Sequence, residues 1–90
     1  MINNRTSLIK ANGEKTQRFI VLQALIESPR TIVDLISIYG VLSPPARISE
    51  LEKIGIKINR RLIENDWHKD IVLYSLVSIP NSVKRILDRY

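Results

Sequence analysis

The sequence TIVDLISIYGVLSPPARISELEKIG, residues 31–55, decides the fold of this chain. Thr31 is a residue type that caps helices. Asp34 places a carboxylate where the free amides and the positive dipole end of a first helical turn are stabilised by negative charge. Together these two residues predict a helix from about Ile32 to Tyr39.

The same stretch contains the start of a second helix. Gly40 provides the backbone freedom that a tight turn needs. Ser43 as a cap and Pro44 at the first helical position then predict a helix from about Pro44 to Ile54. Two short helices joined by a turn of about three or four residues form the arrangement in which the second helix can enter the major groove of DNA.

The flanking sequence completes a small α+β domain. From Thr16 to Ser28 apolar residues recur at spacings of three and four, which predicts an amphipathic helix. After Gly55 the pattern alternates as far as Ile63, and IVLYSLV, residues 71–77, is rich in strand-forming residues, so the two runs predict a β-hairpin. The predicted fold is mostly α: a winged helix-turn-helix with a three-helix core, a hairpin wing and an extra C-terminal helix.

The two ends of the chain differ in pattern from this centre. Residues 1–15 are expected to form a flexible basic arm, residues 16–78 the winged domain and residues 79–90 a C-terminal helix capped by Asn81. An apolar stripe in this last helix either covers the core or pairs with a second copy of the chain in a homodimer. The stripe consists of Val83, Ile86, Leu87 and Tyr90.

The composition limits the class of protein. Ninety residues make one domain, too small for an elaborate enzymatic cleft, and the apolar share of 44% is that of a globular chain. The absence of cysteine excludes a disulfide, a thiolate zinc site and a cysteine nucleophile. His68 is the only histidine, and neither a metal site nor an acid–base pair can be assembled around it; the sequence also has no glycine-rich phosphate loop or nucleophile motif. We expect no enzyme, no metal or other cofactor and no small-molecule substrate.

The sequence also predicts a compartment. The longest uncharged run, residues 71–83, is shorter than the roughly 20 apolar residues of a membrane span. The polar start MINNRTS does not resemble a signal peptide. We expect no membrane contact and a cytoplasmic location, in the nucleoid or in the cytoplasm of a host cell.

The charge distribution favours an anionic partner. The net charge is +5, with five cations against two carboxylates in residues 1–30 and seven against four in residues 55–90. The helical stretch between them, residues 31–54, has two cations against three carboxylates. This pattern suits phosphate contacts from the arm and the hairpin, with the second short helix contributing discrimination more than affinity.

Three segments together resemble a known family. TQRFIVLQALIE from Thr16, SPPARISELEKIG from Ser43 and IKINRR from Ile56 are similar to the small winged helix-turn-helix domains common in phage and prophage proteins. The resemblance covers about residues 16–77 and implies a DNA-binding or regulatory role. It implies that Ser43, Ala46, Arg47 and Ser49 lie at the DNA groove, and that Arg60 and Arg61 contact phosphates.

Several of these residues also have structural interpretations. Arg47 either contacts a guanine or pairs with Glu50 or Glu64, and Glu50 either accepts from a cytosine amino group or is a solvated carboxylate. Neighbouring side chains of a strand point to opposite faces, so only one of Arg60 and Arg61 can face DNA. The candidate DNA-binding residues are Ser43, Pro45, Ala46, Arg47, Ser49, Glu50, Lys53, Arg60, Arg61 and Lys69.

The sequence therefore predicts sequence-specific binding of double-stranded DNA by a small winged-helix regulator of transcription or recombination, of phage type. The alternative is a protein–protein interaction module on the same scaffold, because residues 31–54 carry a net charge of −1. RNA binding is a weaker alternative, since no strand pattern indicates an aromatic-bearing sheet on which unpaired bases could stack.

Overall fold

The computed structural model describes residues 8–64 and 70–89. These residues form a small α+β fold with four helices and one antiparallel sheet whose strand order is β1-β3-β2. The elements in chain order are α1 (Gln17–Glu27), β1 (Arg30–Thr31), α2 (Ile32–Ser37), α3 (Pro44–Lys53), β2 (Lys57–Ile63), β3 (Ile71–Ser78) and α4 (Asn81–Leu87). The predicted order of helices and the hairpin is confirmed, and within the described ranges no helix is long and apolar enough to cross a membrane.

Helix α1 is fixed at its start by Thr16. The Thr16 hydroxyl accepts a hydrogen bond from the backbone N–H of Phe19 and donates one to the carbonyl of Leu8, at 3.2 and 2.7 Å. Leu8 is only 3% exposed and belongs to the core. Within the segment expected to form a flexible arm, residues 8–15 are therefore joined to the fold by the buried Leu8 side chain and by this hydrogen bond; residues 1–7 lie outside the described part.

Helix α2 begins as the sequence predicts. The Thr31 hydroxyl accepts from the Asp34 N–H and the Asp34 carboxylate accepts from the Thr31 N–H, both at 3.0 Å, which is a complete capping box. The helix ends at Ser37, two residues before the predicted end at Tyr39. Gly40 has a φ of 65°, so the turn uses a left-handed conformation that glycine adopts without strain.

Helix α3 differs from the prediction at its first residue. Pro44 occupies the first helical position as expected, but the Ser43 side chain makes no capping hydrogen bond. Ser43 instead adopts the left-handed conformation, with φ 51° and ψ 65°, and the prediction of a side-chain cap is wrong because a capping residue has an extended backbone. The helix ends at Lys53, one residue early.

Replacing Thr31 with alanine is expected to lower the free energy of unfolding by about 1 kcal/mol, because the Asp34 N–H loses its capping acceptor. Ser43→Ala is the matched control, since Ser43 also stands before a helix but makes no side-chain cap. Its expected change is within about 0.5 kcal/mol. Urea denaturation of both variants measures the difference, and equal losses would contradict this assignment of the caps.

The sheet contains one strand that the sequence did not predict. Strands β2 and β3 pair from Lys57 and Ser78 at one end to Ile63 and Ile71 at the other, with an irregularity after Lys57. The unpredicted strand β1 pairs Arg30 with Tyr74 and Thr31 with Leu73. It therefore ties the connection between α1 and α2 to the hairpin.

The core lies between α1, α2, α3 and the sheet, and the C-terminal helix covers part of it. Val83 of α4 is buried, and Ile86 and Leu87 pack half-buried against the same core. Asn81 is the first residue of α4 and Pro80 precedes it at the capping position, so the predicted Asn81 cap is wrong. The largest fully buried side chains are Phe19, Leu22, Leu35, Ile48, Leu51, Ile56, Val21 and Val41.

Candidate nucleic-acid interface

One side of α3 packs on the core and the other side is free. Pro44, Ile48 and Leu51 are buried, as the period of 100° per residue predicts. The opposite side is exposed and carries small side chains toward the helix start and a lysine at its end. We call this side the outer face of α3; it consists of Pro45, Ala46, Ser49 and Lys53.

A cluster of three charged side chains borders the outer face on the side of α1. Arg18 Nη1 of α1 lies 3.1 Å from Glu50 Oε2, and Arg47 Nε pairs with Glu50 Oε1. These side chains are 11%, 28% and 21% exposed for Arg18, Arg47 and Glu50, so all three are largely withdrawn from water. Arg47 was expected either to contact a guanine or to pair with a carboxylate, and in the structure it pairs with Glu50.

A second ion pair borders the outer face on the side of the hairpin. Arg60 of β2 donates two hydrogen bonds to the Glu52 carboxylate, at 3.0 and 2.6 Å, and its guanidinium lies 5.7 Å from the ring centroid of Tyr74. The hydrogen bonds from Arg60 hold the pKa of Glu52 below its ordinary value of 4.5, against an opposing effect of burial. Because the folded-state pKa is lowered, the pair persists at neutral pH and is lost only as pH falls through that lowered value.

The two groups of ion pairs change the electrostatics of α3. Glu50 and Glu52 would repel an anion, but each is neutralised by an arginine from another element. Counted over this surface, four cations face two carboxylates, whereas residues 31–54 taken alone have a net charge of −1. Lys53 is exposed and has no carboxylate partner among the described residues. The α3 surface is therefore net positive.

The hairpin separates the two predicted wing arginines. Arg60 pairs with Tyr74 in the sheet register and points toward α3, whereas Arg61 pairs with Leu73 and lies on the opposite sheet face. Arg61 is exposed and has no carboxylate partner in the part of the chain that the structure describes. Of the other predicted DNA-binding residues, Ser43 is exposed at the turn before α3 and Lys69 lies outside the described ranges, as does the single histidine, His68.

Sequence reasoning missed Arg18 and Glu52 as members of this surface. Arg18 and Glu50 are separated by 32 positions, so no local spacing connects them. Glu52 follows Pro45 by seven positions, nearly two helical turns, which places it at the edge of the outer face. That spacing could have indicated Glu52, and no signal in the sequence indicates Arg18.

The chemistry of the surface is that of hydrogen-bonding and ionic contact. Within residues 8–64 and 70–89 no group of three or more histidine, aspartate or glutamate side chains could hold a metal ion. Arginine, lysine and serine side chains are donors that proteins use for phosphate oxygens and base edges.

Comparison of the chain with models of known protein families, with curated proteins and with solved structures finds no match.

Proposed function

We propose that this chain is a winged helix-turn-helix protein that binds double-stranded DNA through the outer face of α3, as a small regulator of transcription or recombination. The order of elements supports the proposal. Helices α2 and α3 follow each other across a short turn, and the β2–β3 hairpin follows α3 directly. In such proteins the second helix of the pair lies in the major groove and its first residues contact base edges.

The observation that carries the proposal is the outer face itself. It is exposed along α3, and its residues Pro45, Ala46 and Ser49 are small enough to let the helix backbone approach base pairs closely. The major groove is about 12 Å wide and admits one α-helix. Both carboxylates of α3 are neutralised, so the approach of phosphates to either side of the helix is not opposed.

Cations of α3 and the hairpin supply the expected phosphate contacts. Lys53 ends α3 and Lys57 begins β2, whereas Arg61 extends from the sheet face opposite to α3; all three side chains are exposed. None of them has a carboxylate partner within the described ranges. Contacts of this kind set affinity and its dependence on salt, and they carry no sequence information directly.

Binding to a random-sequence duplex, measured by fluorescence anisotropy over a range of salt concentrations, tests the proposal. The logarithm of the binding constant is expected to fall linearly with the logarithm of salt concentration, with a slope of about −0.9 for each phosphate contacted. Lys53→Ala is expected to reduce the magnitude of that slope by about one unit. The matched control is Lys84→Ala on α4, which removes the same charge outside α3 and the hairpin.

The Lys84→Ala control distinguishes a DNA contact made by Lys53 from a general effect of the net charge of the chain. Equal losses for Lys53→Ala and Lys84→Ala would contradict a contact at α3 and leave only nonspecific attraction. No binding at low salt would overturn the proposed function.

A second candidate function is binding of a protein partner, as the net charge of residues 31–54 suggested. One observation favours it: four apolar side chains of α2 and the following turn are between 49% and 71% exposed. They are Val33, Ile36, Ile38 and Leu42. A homodimer through the α4 stripe stays a prediction, although Val83 is buried in the core of its own chain and Tyr90 lies outside the described residues. Failure of the duplex titration would favour this second function.

A further inference from the structure

We infer that α3 recognises the 5-methyl groups of thymines through Pro45 and Ala46, so that the preferred duplex contains A·T pairs at the positions under the start of this helix. The inference rests on the proposed function and specifies the target of the same surface. It follows from the side-chain and backbone groups of α3 that remain free to contact a base pair, because the other groups already make contacts within the chain.

The long polar side chains of α3 are already engaged. Arg47 pairs with Glu50, which also pairs with Arg18, and Glu52 accepts two hydrogen bonds from Arg60. The pair uses Arg47 Nε, so a guanine contact that takes this atom would remove one partner of a carboxylate that is only 21% exposed. Leaving a largely buried carboxylate without one of its partners is unfavourable. A guanine contact through Arg47 Nε is therefore opposed by the fold.

The backbone at the start of α3 also has no donor to offer. The first two positions of the helix are Pro44 and Pro45, which lack an N–H. The next two amides, of Ala46 and Arg47, donate to the Ser43 carbonyl at 3.0 and 3.3 Å. Apart from the exposed hydroxyl of Ser43 just before the helix, the helix end that reaches base edges in helix-turn-helix proteins is consequently apolar here.

An apolar helix start matches one feature of the major groove. Thymine alone among the four bases presents a methyl group there, and small apolar side chains contact it. Pro45 and Ala46 are adjacent, exposed and lie about 100° apart around the helix axis. Ser49, one turn further, has a hydroxyl that both donates and accepts and so tolerates any base. Discrimination is then carried by methyl contacts at one or two base pairs.

Substitution of thymine by deoxyuridine tests this inference, because it removes the methyl group and leaves every hydrogen-bonding group of the base in place. A duplex is first selected from a random library with the full chain, and each thymine is then replaced in turn. We expect affinity to fall about fourfold at one or two positions, the factor that corresponds to one buried methyl-sized group, and to stay unchanged at the others.

A variant assigns the effect to the helix start. Pro45→Ala shortens the apolar side chain at a first-turn position where alanine is a good helix former, and it is expected to reduce the deoxyuridine effect. Lys53→Ala is the matched control on the same face, since it should weaken binding and leave the deoxyuridine effect intact. An unchanged deoxyuridine effect in Pro45→Ala, or loss of the effect in both variants, would overturn the assignment to Pro45.

The outcomes separate this inference from the proposed function. Selection of a duplex whose affinity does not respond to deoxyuridine at any position overturns the methyl contact and leaves DNA binding standing. Failure to retain any duplex at low salt overturns the proposed function, and the inference with it.

Discussion

Replacing Arg18 with methionine is expected to lower the free energy of unfolding by about 2 kcal/mol, the usual size for a hydrogen bond to a charged group. Arg18 joins α1 to α3 through Glu50, at 3.1 Å, and the two side chains are 11% and 21% exposed. Methionine keeps a long apolar stem, so the loss reports on the guanidinium and not on packing. The remaining partner of Glu50 is Arg47, on the same helix.

Lys10→Met is the matched control for this loss. Lys10 pairs with Glu14 at 3.5 Å, and the two side chains are 56% and 66% exposed. Exposed pairs of this kind contribute at most about 0.5 to 1 kcal/mol, because water screens them and the long side chains lose freedom. Urea denaturation measures both variants. An Arg18→Met loss no larger than that of Lys10→Met would show that the Arg18 pair does not stabilise the contact of α1 with α3.

The sequence predicts those features of the fold whose partners are close along the chain. The Thr31 and Asp34 capping box joins residues three positions apart, and residue type alone indicates it. Gly40 and Pro44 are restricted by their own backbone geometry, so the turn and the start of α3 follow from single residues. Ser43 has the right chemistry for a cap, but its left-handed backbone is not that of a capping residue, and Pro45 at the second helical position has no N–H to donate to its hydroxyl.

Features that depend on distant partners could not be predicted in this way. Strand β1 has only two residues, too few for any alternation to be visible, and it exists because Arg30 and Thr31 meet β3 more than 40 positions later. Leu8 and Ile9 form a short apolar pair in an otherwise polar segment, and Leu8 is buried in the core, where its carbonyl accepts a hydrogen bond from the Thr16 hydroxyl eight positions later. Such contacts are consequences of the assembled core.

In the candidate site, too, local features follow from the sequence and features that depend on distant partners do not. Helical period predicts most of the exposed side of α3: Pro45, Ala46, Ser49 and Lys53 are exposed as expected, whereas Glu50 and Arg47, also predicted to lie outward, are half-buried in ion pairs. The charge of the surface does not follow from the sequence, because Glu50 and Glu52 receive their arginines from α1 and β2. A sum over residues 31–54 counts the carboxylates and leaves out these two cations. The net charge of −1 was therefore a weak reason to prefer a protein partner.

Replacing Arg60 with alanine is expected to weaken DNA binding at least tenfold. The proposed reason is the loss of neutralisation: without Arg60, the Glu52 carboxylate stands uncompensated at the edge of the outer face, where DNA phosphates approach. Like charges placed against each other across an interface are strongly unfavourable. The variant Glu52→Gln in the Arg60→Ala background is expected to restore binding to within about threefold of the original chain, since it removes the charge that Arg60 had balanced.

Two measurements make this prediction specific. Thermal unfolding of the single and double variants checks that both fold, which is expected because Arg60 and Glu52 are 46% and 37% exposed and form an exchangeable surface pair. Lys84→Ala again removes one positive charge elsewhere and is expected to have a smaller effect on binding than Arg60→Ala. A loss for Lys84→Ala as large as for Arg60→Ala would mean that total charge accounts for the result.

The double variant distinguishes two ways in which Arg60 can act. If Arg60 contacts a phosphate itself, removing Glu52 cannot replace that contact, and binding stays weak in the double variant. If Arg60 acts by neutralising Glu52, the double variant recovers, because neither charge is then present at the edge of α3. The geometry favours the second case. Arg60 donates two hydrogen bonds to Glu52, and its guanidinium lies over the ring of Tyr74, so both contacts keep the side chain within the fold. Recovery would show that Arg60 supports DNA binding by neutralising Glu52, and Lys53 and Lys57 would then be the nearby cations for phosphate contact.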